Sequence, residues 1–446
     1  MKKVLFLCYY FPPMGMGGTQ RSAKFVKYLP KYNWEPIVLT VKDVHYYAHD
    51  MSLLHEISNC KIYRTESYDP LRLLARLMRT SSNDKNGIKS TIPNLRSKFL
   101  NWLNQFTSGG LLIPDSKILW LPFALKSTLP LIREYKIEII YTTSPPHSAH
   151  LGGLLLKLAT GIKWIADFRD DWTGGESQPN PSIIHTFVNR LMEKFVLKIA
   201  DRVIGMCDHL TQSLSRKSGH ISKNKKFLTI MNGYDREDFS GLENLPLNSR
   251  FTITHCGSIS RVSDPEPFLK AVKFLFQQHP KLKDQILIQF FGIDIYGRLD
   301  YVAQSLGLEQ NISQIRYLSH REALKEIMQS HLLLLTIFKR TNEEIITGKL
   351  FEYLASGKPI LLISSEGEVA RIVRVLDRGV VVKNHDIQGI QNAILTCLQK
   401  YQEGRSLFSD PLSIPQFDRE RLTGKLAEVF SELTSMEIIN DKQIKT

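Results

Sequence analysis

In the run NEEIITGKLFEYLASGKPILLIS, residues 342–364, Glu344 and Glu352 stand eight positions apart with Gly348 and Lys349 between them. Gly348-Lys349 opens a helical pattern, so free backbone N–H groups, the positive end of a helix dipole and a lysine charge converge on one spot. Those are the makings of a phosphate site. Glu352 falls one turn into the helix, where its carboxylate can reach hydroxyls such as those of a ribose. Glu344, in the preceding loop, can accept from hydroxyls of whatever the phosphate carries. The run is not a Walker loop, because no glycine stands five residues before Gly348 and Leu350 takes the Ser/Thr position. A solvated acidic loop ahead of an ordinary charged helix is the alternative.

Four other segments carry residue types suited to chemistry. In YYFPPMGMGGTQR, Gly15, Gly17 and Gly18 allow a close backbone approach to a ligand, and Arg21 lies in the first turn of the following helix. As a dinucleotide fingerprint it fails, since Gln20 replaces the third glycine and Pro12-Pro13 intrude. SPPHSAHLGG places His147 directly after a rigid turn and His150 three positions on; with no third ligand nearby, no metal is expected. In IADFRDDW, Asp167, Arg169, Asp170 and Asp171 either bind an acceptor or pair among themselves. THCGSISR offers Gly257 at a strand end and Arg261 just beyond it, a second contact for a diphosphate.

The elements that must position these residues follow from hydrophobic patterning. Short β-branched runs alternate with helical periods along the whole chain: Val4–Leu7, Pro36–Thr40, Ile137–Thr142, Trp164–Ala166, Arg202–Gly205 and Leu228–Met231, then Phe251–His255, Ile286–Phe291, Leu332–Ile337, Pro359–Ile363 and Val380–Val382. Such runs predict parallel strands buried on both faces and joined by crossover helices. Thr19 is predicted to cap a helix over Gln20–Leu29, and Ser319 with Glu322 to form a capping box ahead of Ala323–Met328. Gly357 and Pro359 should stop the helix holding Glu352. The pattern occurs twice, with a polar break at Asn232–Arg250, which predicts an α/β chain of two Rossmann-like, doubly wound parallel-sheet domains facing a central cleft. The divisions expected are residues 1–235, 236–415 and a final stretch 416–446, in which Asp418–Leu433 forms an apolar-faced helix.

At 446 residues the chain exceeds one hydrophobic core. Its five cysteines are scattered and odd in number, with no C-x-x-C pair, which excludes a disulfide framework and a cysteine zinc site and fits a reducing compartment. No apolar stretch reaches the roughly 18 residues of a spanning helix. A cytoplasmic location is expected.

Taken together in this order, FPPMGMGGTQR, TTSPPHSAH, ADFRDDW, ADRVIG, NGYDREDF and EIITGKLFEYLASGKPIL resemble the GT-B-fold glycosyltransferases of family 4, of the group 1 type, over nearly the whole chain. The resemblance implies a nucleotide-sugar donor held by the second domain, an acceptor held by the first, and a last helix crossing back to the first domain. It implies retention of anomeric configuration without a metal or other cofactor. Carried over, Glu344, Lys349 and His147 are catalytic, with His147 facing the transferred sugar. Gly17, Gly18, Gly257, Arg261, Gly348, Lys349, Leu350 and Glu352 bind the donor, with Glu352 on its ribose. Arg21, Asp167, Arg169 and Asp170 serve the acceptor. Relatives place the phosphate-binding arginine just before Asp-Pro, where this chain has Ser263, so Arg261 stands two positions early. Work on bacterial surface polysaccharide (lipopolysaccharide O-antigen, capsule or exopolysaccharide) is the implied setting. The rivals are a nucleotide-sugar epimerase and a non-catalytic scaffold or binding subunit of such an assembly.

The net charge of +14 is concentrated: residues 70–133 hold ten Lys/Arg against Asp84 and Asp115. PLRLLARLMR places Arg72, Arg76 and Arg79 on one helical face, and SKFLNWLNQF adds Phe99, Trp102 and Phe106. A basic amphipathic insert over about 70–130 predicts peripheral binding to an anionic membrane surface, on the inner face of the cytoplasmic membrane, beside a lipid-linked or glycan acceptor. Nucleic acid is not expected, since the aromatics sit among leucines and no recognised binding motif occurs.

Overall fold

The computed structural model describes residues 1–15, 17–42, 44, 49–70, 72, 112–174, 182–219, 225–315, 318–338, 346–405 and 407–444. The chain forms two compact units, one from Met1–Met231 with Glu420–Thr446 and one from Asn232–Arg419.

The first unit runs β1 (Lys2–Leu7), α1 (Gly17–Tyr28), β2 (Trp34–Val41), α2 (Met51–His55), β3 (Lys61–Thr65), α3 (Leu121–Tyr135), β4 (Ile139–Ser144), α4 (Ser148–Thr160), β5 (Lys163–Phe168), α5 (Ile183–Ile199), β6 (Arg202–Gly205), α6 (Asp208–Lys217) and β7 (Phe227–Thr229). Its strands pair in the order β3-β2-β1-β4-β5-β6-β7, every ladder parallel. The order reverses between β1 and β4, which makes that the switch point where loops diverge and ligands of such sheets bind. Val4, Leu5, Phe6 and Leu7 are all fully buried, as a central strand covered on both faces requires.

The second unit runs β8 (Phe251–Cys256), α7 (Glu266–Gln278), α8 (Leu282–Gln285), β9 (Ile286–Phe291), α9 (Leu299–Leu306), β10 (Ile312–Ile315), α10 (His320–Gln329), β11 (Leu332–Ile337), α11 (Gly348–Ser356), β12 (Ile360–Ser364), α12 (Glu368–Val375), β13 (Gly379–Val382) and α13 (Ile387–Gln402). Its parallel order, β10-β9-β8-β11-β12-β13, again reverses beside the first strand of the unit. A long helix, α14 (Arg419–Ile444), closes the chain. Leu422, Leu426, Phe430 and Leu433 from it join Val4, Phe6, Trp34 and Tyr141 in one core cluster of the first unit. Phe430 meets Trp34 edge to face at 5.1 Å. Full burial of such side chains contributes roughly 1.5–3 kcal/mol each, so this face fixes the helix on that unit.

Some element ends differ from the sequence reading. Helix α1 begins at Gly17, so Thr19 lies inside its first turn and donates from Oγ1 to the Met14 carbonyl at 2.8 Å instead of capping. The capping box of Ser319 and Glu322 is formed, and Gly357 ends α11 with φ 73°, a backbone conformation that glycine adopts without strain. Strands β3 and β10, which patterning did not signal, sit at the two sheet edges. Their residues are only half covered, so KIYRT and ISQI lack the continuous apolar run of a central strand.

Candidate functional site

In the second unit the switch point is built by two strand ends and one helix start. At the end of β8, His255 is buried and its Nδ1 lies 3.1 Å from the Leu334 carbonyl of β11. That contact fixes the proton on Nδ1 and leaves Nε2 an acceptor. Burial, with the Lys349 charge next, holds this imidazole well below its ordinary pKa, so it is neutral. The Lys349 ammonium stands 3.2 Å from that Nε2. Burial, against smaller contributions from Cys256 and Glu352, brings its pKa down to about 8.

Gly257 makes this approach possible. Its φ of +120° is outside the range of ordinary side chains, and a Cβ there would lie 2.7 Å from Cε and Nζ of Lys349. Tyr353, one turn along α11, accepts at its hydroxyl oxygen from the Cys256 N–H at 2.7 Å, tying the helix to the end of β8. At the start of α11 the Thr347 hydroxyl does not cap the helix, and its Oγ1 has no partner among the described residues. The helix therefore presents uncapped N–H groups beside a fixed cation, the combination that binds phosphate.

Glu352 is on the same helix, half-buried, with Oε1 2.8 Å from Nε2 of His320. His320 in turn has Nδ1 3.7 Å from the Asp238 carboxylate. His320, the first residue of α10 after the capping box, was not singled out from the sequence; its only signal was its place at a helix start after a strand. Leu350 is a correction. Its side chain is fully buried in the core and its N–H donates to the Thr347 carbonyl at 3.2 Å, so neither is open to a donor. Arg261 is exposed and lies over the Tyr296 ring, 5.5 Å from its centroid, and it lines a small recess with Asp264 and Asp294. The described contacts do not join it to Lys349. Glu344, with its neighbour Glu343, lies outside the described residues.

In the first unit, Arg21 and Asp167 are a second correction. They form a bidentate pair at 2.9 and 2.8 Å, and neither is more than 1% exposed. Arg21 also donates to the carbonyls of Ile230 and Met231, and Asp167 accepts from Tyr141 at 2.7 Å and Thr143 at 3.2 Å. The pair uses both side chains to lock the loops of β1, β5 and β7, and it leaves nothing for an acceptor. Arg169 is likewise structural: it donates to the carbonyls of Ser144, Pro145 and Gly18. A Cβ on Gly18 would collide with that guanidinium, so this glycine serves packing as well as any ligand. Gly17 is the first residue of α1. Asp171 is held by Lys217 and Ser213.

His147 precedes α4, is 4% exposed and stacks on Trp172 at 4.9 Å with the rings nearly parallel. Its Nδ1 has no partner among the described residues. Burial pushes its pKa down to about 3, so it is a neutral donor or acceptor across the physiological range. His150 points into the core, with Nδ1 2.7 Å from Thr142 Oγ1. Asp170, at the end of the β5 loop, is half-buried, and burial raises its carboxyl above the usual range. Of the four acceptor candidates it is the one that the described contacts leave unspent.

The fold has counterparts among known proteins. Residues 243–407 match the model of the glycosyl transferases group 1 family, which places a domain of that kind in the second unit. No curated protein matches the chain. Among solved structures, sucrose-phosphate synthase from Thermosynechococcus elongatus is 15% identical with a TM-score of 0.62, covering 98% of this chain and 100% of its own. The α,α-trehalose 6-phosphate synthase from Burkholderia multivorans is 11% identical with a TM-score of 0.65, covering 99% and 98%. The lipopolysaccharide outer core galactosyltransferase WaaB is 11% identical with a TM-score of 0.52, covering 96% and 99%. At such identities the likeness shows the fold: this is a GT-B fold. The family match supports glycosyl transfer.

Proposed function

We propose that the chain transfers a sugar from a nucleotide-sugar donor to a glycan or lipid-linked acceptor with retention of configuration. The carrying observation is the Lys349 ammonium, fixed against neutral His255 over Gly257 at the uncapped start of α11. As the anomeric bond lengthens, negative charge gathers on the leaving diphosphate. Lys349 and the N–H groups of α11 meet that charge, and because they are already in place they need no reorganisation. Glu352, one turn further, takes ribose hydroxyls in exchange for His320 or alongside it. Glu344 takes hydroxyls of the donor sugar, and Arg261 adds a more distant positive charge. In this reading the diphosphate takes the acceptor's proton, His147 orients the sugar as a neutral imidazole, and no metal is called for. The test is turnover of UDP-, GDP-, ADP- and CDP-sugars with a polysaccharide or lipid-linked acceptor. Release of nucleotide that depends on acceptor supports transfer. Conversion of the donor without acceptor would instead mean epimerisation, and no nucleotide binding would mean a scaffold.

Bacterial surface polysaccharide, made at the inner face of the cytoplasmic membrane, is the setting we infer. The basic insert on which a membrane surface was expected lies largely outside the described residues, including Arg76, Arg79 and Trp102. Of its described cations, Arg72 pairs with Glu66 at 2.7 Å and Lys117 with Asp69 at 2.9 Å, while Lys126 is exposed. Helix α5 supports the reading better. Ile183, Ile184, Phe187, Leu191 and Phe195 are 45–88% exposed along it, interleaved with exposed Arg190, Lys194 and Lys198. Its single acid, Glu193, is buried against Lys217 at 3.1 Å. An apolar and cationic face without exposed acids suits the headgroup boundary of an anionic bilayer. Among the described residues no helix is long and apolar enough to cross a membrane. Flotation with phosphatidylglycerol vesicles tests the surface: Phe187→Glu with Leu191→Glu should abolish cosedimentation, and unchanged binding would remove α5 from it.

A further inference from the structure

The second unit has another concavity, at the amino end of its sheet, opposite the end that carries Lys349. It encloses about 320 Å³ between the first residues of β11, β12 and β13, the later turns of α13 and the loop Leu407–Ser409. Leu361, Val380 and Phe408 supply apolar wall, Arg378 and Lys400 supply positive charge, and Asp377 is the acid among its lining residues. The volume is that of a site for a small organic molecule.

Arg378 is the informative member. It is 4% exposed, and its Nη2 donates to the Asp410 carbonyl at 3.2 Å and to Ser413 Oγ. Its Nη1 is buried and has no partner among the described residues. A buried guanidinium N–H left unmatched is costly, and native proteins rarely keep one without a group to fill it. Behind the wall, Lys358 is 7% exposed with its ammonium 4.1 Å over the Phe408 ring, adding a further positive charge to this end of the sheet. Arg378 and Lys400 thus stand in the pocket wall with Lys358 behind it, Asp377 lies in the lining and Asp410 beside Arg378, and the rest of the lining mixes apolar side chains with Thr396 and Ser409.

We propose that this pocket is a second ligand site, taking a small molecule with one carboxylate or phosphate on a ring or short alkyl body. The anionic group meets the Arg378 and Lys400 side chains in the pocket wall, and the body lies along Leu361, Val380 and Phe408. The site is wired to the donor helix. Ser409 N–H donates to the Gly357 carbonyl at 2.9 Å and Leu412 N–H to the Ala355 carbonyl at 2.8 Å, both at the end of α11 whose start carries Lys349. A ligand that braces the loop 407–413 thus braces α11. If the chain is a glycosyltransferase as proposed above, occupancy of this pocket changes donor affinity, but binding itself does not depend on that reading.

Calorimetric titration of the full-length protein with phenyl phosphate, phenylacetate and inorganic phosphate tests the proposal. At least one of the two organic anions should bind, and more tightly than inorganic phosphate. Lys400→Gln, at an exposed position, should weaken it about tenfold, as loss of a charge-assisted contact does. Thr396→Phe, filling the cavity from α13, should abolish it, while Lys349→Ala should leave it unchanged. No binding of either organic anion to the wild type overturns the proposal. So does binding that Lys349→Ala removes and that Lys400→Gln and Thr396→Phe leave intact, because the anion then sits at the donor site. Equal affinity for inorganic phosphate overturns it too, since the apolar wall would then have no part.

Discussion

Replacing Lys349 by methionine should make the protein more stable and less active at once. The lysine stem packs beside Gly257 and the ammonium rests on neutral His255. Methionine keeps the stem and removes the charge. The fall of the lysine pKa from 10.5 to about 8 means that folding disfavours the charged form by about 3 kcal/mol at neutral pH, at roughly 1.4 kcal/mol per pH unit. Leaving His255 Nε2 without its donor returns about 1 kcal/mol of that. The net gain is about 2 kcal/mol, which raises Tm by about 4 °C for a domain of this size.

The sign of the pH dependence follows from the depressed pKa. Between pH 8 and 10.5 the unfolded chain binds more protons at this position than the folded one, so wild-type stability gains with rising pH. The advantage of Lys349→Met is therefore full below about pH 8 and disappears by about pH 10.5. Turnover should fall by about 10²-fold, since the cation that meets the leaving diphosphate has gone. Wild-type donor affinity should itself decline as pH rises through about 8 and the ammonium is lost. Urea unfolding at pH 7 and pH 10.5, with kcat on the same samples, reads all of this. A variant that is no more stable than wild type at pH 7 and retains most of its turnover would refute the reasoning.

Gly257→Ala puts a Cβ 2.7 Å from Lys349 Nζ at φ +120°; it should cost about 1–3 kcal/mol and weaken donor binding, and a thermal scan with and without nucleotide-sugar checks both. Asp167→Asn leaves Arg21 buried without its counter-charge and should destabilise by about 3–5 kcal/mol in equilibrium unfolding. His147→Phe keeps the stack on Trp172 while removing a group whose pKa of about 3 lies below that of the unfolded chain. Wild-type stability from this position is full above pH 6.5 and is lost as pH falls toward 3, so the variant should gain about 1.4 kcal/mol over wild type at pH 5.5 relative to pH 7.5. Parallel unfolding curves at the two pH values would contradict it.

Much of the fold was legible because central parallel strands are apolar on both faces. Arg202–Gly205, Ile286–Phe291 and Leu332–Ile337 stand where the runs placed them. Edge strands β3 and β10 escaped because one side of an edge is wet and its residues need not be apolar. In the site, Lys349 and Gly257 were readable as a lysine at a helix start and a glycine at a strand end. Their mutual contact was not, since it depends on Gly257 taking a positive φ. Arg21 and Asp167 misled for a related reason: side chains at strand ends line a ligand pocket or lock the loops, and the choice between these rests on contacts 146 residues apart in sequence. Leu350 follows the lysine in the motif, yet the helical turn sends it into the core. His255, which contacts Lys349, lies in THCGSISR without standing out there, and His320, which contacts Glu352, belongs to no motif; both came only with the fold.

The central claim is that the start of α11 grips the diphosphate of an activated sugar through Lys349. With its pKa near 8, this amine is deprotonated and acylated far more readily at pH 8 than surface lysines. Its modification by acetic anhydride, read by peptide mass spectrometry, can be compared with and without each of a set of UDP-, GDP-, ADP- and CDP-sugars. The account predicts that at least one donor protects Lys349 about tenfold or more while the labelling of surface lysines such as Lys270 stays the same. Labelling of Lys349 that none of the four donors alters would contradict it.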